Sequence, residues 1–219
     1  MKIGVLSDIH GNLVALEAAL DAMPEVDAMV CAGDVVGYNP FPAECIERVR
    51  ELDIPTVMGN HDRAVASDSG FAFNSAASAG VRYAREALDE AAIEWLRTLP
   101  DERLLFEDRV RVVHGHPDDP DRYTYPYDFH SGLLETERAL VMGHTHVQGH
   151  EVYDEGVVMN PGSVGQPRDG DPQAAYSILD LDEETVSEHR VPYDIERVQQ
   201  AIRDADLPHS LADRLEQGR

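Results

Sequence analysis

The stretch that most limits what this chain can fold into is Ile3-Gly4-Val5-Leu6-Ser7-Asp8-Ile9-His10-Gly11-Asn12. Its first four residues are an apolar run too brief for anything but a buried strand. After it, Leu13, Leu16, Ala19 and Leu20 recur at the 3.6-residue spacing of one helix face. Asp8 and His10 therefore sit on the turn that leaves the carboxyl end of a strand, where open α/β sheets bind ligands. Asp-x-His offers one hard oxygen and one nitrogen to a divalent cation, a mixture that suits Zn, Mn, Fe or Ni.

The same arrangement recurs twice in the next fifty residues. The strand Ala28–Ala32 runs into Gly33-Asp34, and the short run Thr56–Met58 into Gly59-Asn60-His61-Asp62. A helix over 42–52, with proline in its first turn, separates them. This alternation predicts parallel strands joined by right-handed crossovers, which would gather three ligand-bearing loops at one sheet edge. Residues 74–98 read as helical. From 103 the period changes to two, over 104–107, 110–114, 139–142, 148–153, 157–160, 176–181 and 185–190, predicting a second, mostly antiparallel sheet. Helices over 194–205 and 208–216 end the chain. The expected class is α/β, with residues 1–219 as one domain. Residues 115–131 hold three tyrosines and form the one long irregular loop, either a lid or partner contact or a packed surface loop.

Composition excludes several classes. At 219 residues the chain can bury roughly 70–75% of its unfolded surface. No apolar run nears the ~18 residues of a membrane span, and the N-terminus lacks the apolar region of a signal peptide. Cys31 and Cys45 fall in an expected core strand and helix and are expected reduced, which points to the cytoplasm. Acids outnumber bases by 42 to 18, and Lys2 is the single lysine. That balance fits a soluble acidic surface from an arginine-favouring genome, or adaptation to molar salt, where the Debye length is about 3 Å. It argues against a nucleic-acid polymer as partner, because no basic stripe can replace counterions.

The candidate ligands at strand ends are Asp8, His10, Asp34, Asn60, His114, His144 and His146. Two cations about 3.5–4 Å apart need a shared ligand, and a carboxylate is the natural bridge. Asp34, the middle acid of the set, fits. In Gly143-His144-Thr145-His146, an extended backbone would place both imidazoles on one side.

The blocks Asp8-x-His10, Gly33-Asp34, Gly59-Asn60-His61-Asp62, His114-Gly115 and Gly143-His144-Thr145-His146, in this order, resemble the calcineurin-like metallophosphoesterase superfamily. Gly33-Asp34-Val35-Val36-Gly37-Tyr38 and residues 160–168 are similar to its small bacterial and archaeal phosphodiesterases. The resemblance implies a four-layer αββα sandwich of two mixed sheets flanked by helices. It also implies two divalent ions, with manganese placed first and Ni, Zn, Fe and Mg open. One metal would take Asp8, His10, Asp34 and His146, the other Asp34, Asn60, His114 and His144. The implied reaction is hydrolysis of a phosphodiester or phosphomonoester by in-line attack of a metal-bridging hydroxide, with His61 protonating the leaving oxygen. The expected partner is a small phosphorylated substrate.

One departure bears on substrate. Protein phosphatases of this superfamily carry Gly-Asp-x-Val-Asp-Arg-Gly, and Gly37 and Tyr38 stand where their second Asp and Arg would be. That argues against a phosphoprotein substrate and leaves Arg63 and Arg168 as candidate phosphate contacts, with His116 and Tyr38 as candidate pocket residues. Asn12 reads as a helix cap, and His130, His150, His189 and His209 receive no role. Two other functions remain open. One is a nucleotide hydrolase acting on cyclic nucleotides or dinucleoside polyphosphates. The other is a non-catalytic metal-binding scaffold like the retromer subunit that resembles this fold, although such a scaffold would be expected to lose a ligand or the catalytic histidine.

Overall fold

The structure, a computed structural model, describes residues 1–67 and 73–219. Strand β1 (Lys2–Leu6) leads through Asn12 into α1 (Leu13–Ala22), and Asn12 caps that helix by accepting from the Ala15 N–H at 3.1 Å. Next come β2 (Ala28–Cys31), α2 (Pro42–Glu51), α3 (Asn60–Ala66), α4 (Ser75–Ala87) and α5 (Glu90–Thr98). The second half holds β3 (Glu102–Leu105), β4 (Val110–Val113), β5 (Ala139–Val141), β6 (Gly149–Tyr153) and β7 (Gly156–Asn160). Then follow β8 (Ala174–Asp180), β9 (Thr185–Val191), α6 (Ile195–Asp204) and α7 (His209–Leu215).

Two mixed sheets face each other, in the orders β2-β1-β8-β9 and β3-β4-β5-β7-β6. Their contact is apolar: Ile3, Val5, Val30 and Leu179 meet Val110, Val112, Val141 and Met159. Helices cover the outer face of the first sheet through Leu16, Ile46, Val49 and Leu96. The outer face of the second is covered more thinly, by Phe129 and Leu133 lying on Leu140, Met142 and Val158. Short 3-10 turns at Pro126–Asp128 and Ser131–Leu133 carry that cover. Helices α6 and α7 pack through Val198, Ile202, Leu211 and Leu215 against Tyr38 and Ala77.

Three expectations need correction. The strands over 176–181 and 185–190 do not belong to the second sheet; β8 lies antiparallel to β1, and β9 to β8. Alternation identifies a strand but not its neighbour. The centre of the second sheet is parallel, β4 to β5 to β7. Those three strands are buried on both faces, as parallel strands usually are. Thr56–Met58 makes a single bridge to Cys31 rather than a strand, because Met58 turns its N–H away to the Pro100 carbonyl at 2.7 Å. The helical stretch over 74–98 divides into α4 and α5. Asp89 caps the second by accepting from the Ala92 N–H at 2.8 Å, a local bond that competes with a continuous helix.

The consequence for function lies at one edge. Strand β1 runs parallel to β2 in one sheet, and β4, β5 and β7 run parallel to one another in the other, and the loops leaving them interlock. Asp8 N–H donates to the Gly33 carbonyl at 2.9 Å, Gly143 N–H to His114 at 2.8 Å, and Gly165 N–H to Asp8 at 3.0 Å. Among the described residues no helix is long and apolar enough to cross a membrane. Cys31 and Cys45 are buried and unbridged.

Candidate metal centre

All seven expected ligands are buried at this edge. Six of them form two groups that meet at one carboxylate, Asp8, His10 and His146 on one side and Asp34, His114 and His144 on the other, with Asn60 beside the second. In the first, His146 Nε2 lies 3.2 Å and His10 Nε2 3.6 Å from Asp8 Oδ1. In the second, His114 Nε2 lies 3.4 Å from Asp34 Oδ2 and 3.1 Å from Asn60 Oδ1. Asp34 Oδ2 is also 3.5 Å from His10 Nε2, so this one oxygen faces both groups. The other oxygen, Oδ1, accepts the backbone N–H of His61 at 2.8 Å, which fixes the carboxylate's orientation.

The hydrogen bonds behind the rings test whether cations fit here. His10 Nδ1 lies 3.1 Å from the Val36 carbonyl and His146 Nδ1 2.6 Å from that of Gln166. A carbonyl only accepts, so each Nδ1 carries the proton and each Nε2 presents a lone pair. Those two Nε2 atoms are 3.0 Å apart. Two lone pairs converge there beside Asp8 Oδ1, a buried oxygen with no hydrogen-bond partner. A cation satisfies all three, and carbonyl-held imidazoles are the usual outer support of a metal site. His144 is held the other way round: its Nε2 is 3.2 Å from the Asp121 carbonyl, which leaves Nδ1 as its free nitrogen. The donor set, imidazole nitrogen with carboxylate and amide oxygen, suits divalent ions of the first transition row.

Charge tells the same story. Burial opposes ionising Asp8 and Asp34, yet the surrounding imidazoles outweigh it and hold both carboxyls below their ordinary range. Burial also opposes charging His114, but Asp34 beside it pushes that imidazole up to about 10. Burial, reinforced by a nearby positive group, lowers His144 to about 4 and His146 to about 3. The centre is a cluster of buried anions and lone pairs that draws positive charge.

The pair His144 and His146 departs from expectation. The segment is not extended: the two residues have φ of 68° and 59°, and each serves a different group. Asp8, His10 and Asp34 are likewise left-handed, at 52°, 51° and 55°. His61 lies beside the ligands, in reach of both His10 and Asp34. Its Nδ1 is buried with no hydrogen-bond partner. Gly37 explains this, because a Cβ there would come within 2.5 Å of that nitrogen. Glycine thus occupies the place where an orienting carboxylate would stand. Burial lowers the His61 pKa well below its ordinary value.

Of the four expected substrate contacts, two reach the centre. Tyr38 and Arg168 line a cavity of about 210 Å³ together with Asp34, Asn60, His61, His144 and His146. Arg63 instead pairs with Asp121, and His116 accepts from the Asp118 N–H at 3.1 Å; neither lines that cavity. A wider hollow of about 620 Å³, bordered by Ile46, Arg50 and Asp89, contains none of the ligands. Three groups escaped the sequence reading. Asp62 Oδ1 and Oδ2 accept from the N–H groups of Val36 and Gly59, both at 3.1 Å, which ties the Asp34 loop to the start of α3. The signal was present, since an acid three residues after a helix cap commonly reaches back to it. Tyr123 stacks on the His144 ring at 4.1 Å, and Arg214 lines the cavity from α7. Distance along the chain hid both.

Comparison with known proteins agrees with this geometry. Residues 1–184 match the model of the calcineurin-like phosphoesterase superfamily domain. The crystal structure of a metallophosphoesterase from Sphaerobacter thermophilus superposes with a TM-score of 0.86 at 37% identity, covering 100% of this chain and 99% of that one. An uncharacterised protein of Methanocaldococcus jannaschii is 32% identical over 99% of this chain and 98% of its own length. Phosphodiesterase YfcE of Escherichia coli is 30% identical over 83% of this chain and 89% of its own. The chain belongs to the calcineurin-like phosphoesterase superfamily.

Proposed function

We propose that this protein hydrolyses phosphoesters, diesters among them, with two divalent cations bound by the seven side chains. One ion is assigned to Asp8, His10, Asp34 and His146, the other to Asp34, Asn60, His114 and His144. The observation that carries this reading is Asp34 Oδ2, set between His10 Nε2 at 3.5 Å and His114 Nε2 at 3.4 Å. When bound, the cations supply Lewis acidity that offsets charge growing on phosphate oxygens and makes water acidic enough to act near neutral pH.

The chain's own groups do the rest. Asp34, its Oδ1 tied to the His61 N–H, holds α3 and the metal loop in one register. His61, with Nδ1 turned onto Gly37, has Nε2 left for the cavity, where it hands a proton to the leaving oxygen. A phosphate entering the cavity adds negative charge beside His61 and favours its protonated form. Arg168 and Tyr38 contact the substrate. Arg63 and His116 act at a remove, through the 115–131 segment that carries Tyr123 onto His144.

A second reading, nucleotide hydrolysis, is favoured by the rings of Tyr123, Tyr125 and Tyr127. They are stacked within 15° of parallel at 6.0 and 5.3 Å, with Tyr127 82% exposed. Such a face suits a base. We further place the protein in the cytoplasm, acting as one unit over 1–219 on small phosphorylated substrates, with manganese as its metal and molar salt as its medium. The free buried cysteines and the net charge of −24 support this placement. The test is a chelated sample reloaded with Mn, Ni, Zn or Mg and assayed on model monoesters, diesters and nucleotides. Hydrolysis restored by metal, with two ions per chain, is expected. Metal-free turnover, or binding of a single ion, defeats the reading.

A further inference from the structure

The residues beyond the matched family domain bring one charge to the centre. Helix α7 is anchored by Leu211, Ala212 and Leu215, each at most 1% exposed, and between these anchors it turns Arg214 into the metal-side cavity. There Arg214 meets Arg168. Their guanidinium carbons lie 5.8 and 5.6 Å from the centre of the Tyr38 ring, and Arg168 also donates to the Tyr38 hydroxyl at 3.1 Å. Tyr38 in turn packs edge-on against His10 at 4.6 Å, so the ring is a rigid floor joining the arginines to the ligands.

Among the described residues neither arginine has an Asp or Glu side chain within ion-pair distance, in a chain where acids outnumber bases by 42 to 18. Arg168 instead reaches Gln166 Oε1 at 3.1 Å, and Arg214 Nε reaches the Arg219 main-chain oxygen at 2.6 Å. Arg168 Nε is buried without any partner. Two half-buried like charges on one ring repel each other, and Asp34, the carboxylate that lines the cavity, is turned to His10, His114 and the His61 N–H and forms no ion pair that offsets them.

An anion from outside does. A phosphodiester brings one negative charge and two nonbridging oxygens. A fully ionised phosphomonoester brings two charges and three such oxygens, one more than a pair of cations would engage singly. A planar guanidinium binds that kind of oxygen edge-on. We propose that Arg214 and Arg168 form a clamp for a dianionic phosphate monoester group, which turns the selectivity of this chain toward monoesters over diesters. The inference rests on the phosphoesterase reading for its catalytic half. Its binding half stands on the two arginines alone.

The test compares the metal-loaded full chain with Arg214→Gln and Arg214→Lys. Activity is read on p-nitrophenyl phosphate and on bis-p-nitrophenyl phosphate, and binding of inorganic phosphate by calorimetry. Losing one charge-assisted contact lowers affinity roughly tenfold to a hundredfold. The expected result for Arg214→Gln is a drop of that size in the monoester-to-diester ratio of kcat/KM, with a matching loss in phosphate affinity. Arg214→Lys, which keeps the charge and the stem, should fall in between, and its melting point shows whether α7 still packs. Equal losses on both substrates with unchanged phosphate binding overturn the clamp. If the parent protein cleaves neither ester while its phosphate affinity still depends on Arg214, the clamp stands and the hydrolase reading fails.

Discussion

Replacing Asp62 with alanine tests whether the site is held from behind by a single carboxylate. Asp62 is fully buried and, among the described residues, hydrogen-bonds to no candidate ligand side chain, yet its two oxygens take the N–H groups of Val36 and Gly59 at 3.1 Å each. Both donors belong to the loops that present Asp34 and Asn60. Without the carboxylate, two buried N–H groups lose their acceptors, at roughly 1–3 kcal/mol each. One term works the other way: burial, helped by the nearby charge of Asp34, pushes the Asp62 carboxyl up to about 7, so alanine also removes an unfavourable charge. The balance is a net loss of about 2–4 kcal/mol, because relieved repulsion restores no hydrogen bond. For a domain of this size that is a melting point lower by roughly 5–15 °C. Asp62→Asn keeps one acceptor but turns an amide N–H toward the other donor, so it should lie between parent and alanine.

The assay is thermal unfolding of the three proteins in chelator, with metal content measured after reloading. Alanine should lower both melting point and metal content, since Asn60 and His61 ride on the first turn of α3. A close approach makes that turn intolerant of drift. Asp34 Oδ1 and its backbone nitrogen sit against the Cα of Gly59 where any Cβ would overlap them. If Asp62→Ala melts with the parent, or if alanine and asparagine are indistinguishable, the two hydrogen bonds are not what holds the loops together.

Two further outcomes separate roles that geometry leaves adjacent. His61→Ala should lower turnover by about 10²–10⁴-fold with metal content intact, as expected for a proton donor. Because His61 lies in ligand reach of His10 and Asp34, loss of metal together with activity would make it a ligand instead. With a net charge of −24, the melting point should rise between dilute buffer and molar KCl as self-repulsion is screened; a flat profile removes the case for salt adaptation.

Legibility followed the range of the signal. The ligands are readable because they follow short apolar runs, four of which are strands and one, Thr56–Met58, a single bridge, each leading within a few residues into an acid, amide or imidazole. The parallel centre of the second sheet was written in the same way and misread. Val157-Val158-Met159 is continuous rather than alternating, and all three residues are fully buried. The return of β8 and β9 to the first sheet left no local mark, since Ala174–Asp180 would pattern identically beside any strand. Helix α3, at seven residues, is too short to show a period. Arg214 was invisible for a different reason. Nothing near it in sequence carries chemistry, and its role depends on α6 and α7 folding back onto Tyr38 through Val198, Ile202 and Leu211.

What the sequence did not disclose is the conformation that brings the ligands together. Asp8, His10, Asp34, His144 and His146 all lie in the left-handed region, φ 51–68°, at a cost on the order of 1 kcal/mol or more apiece. Such strain persists only where surrounding bonds over-determine it, and here they can be named. The Asp8 carbonyl takes Ser163 Oγ at 2.7 Å, the His10 carbonyl takes the Asn39 N–H at 3.0 Å, and the His146 carbonyl takes the Arg168 N–H at 3.1 Å. The His144 N–H itself goes to Asp8 Oδ2 at 3.0 Å. The Asp34 carbonyl takes the His10 N–H at 2.9 Å, so all five strained ligands are pinned, Asp8 and His146 by the same 163–168 segment, and the segments at 36–39, 143–146 and 163–168 also line or floor the cavity. Strain, buried like charge and an unpartnered carboxylate oxygen coincide at one sheet edge while the cores beneath are ordinary aliphatic packing. Left-handed residues occur elsewhere, as at Phe106, Glu107 and Asp108, but among the described residues only this edge combines them with clustered metal-ligating donors. That concentration is what a preformed cation site requires, because donors that must wait for the ion at fixed distances cannot relax toward one another in its absence.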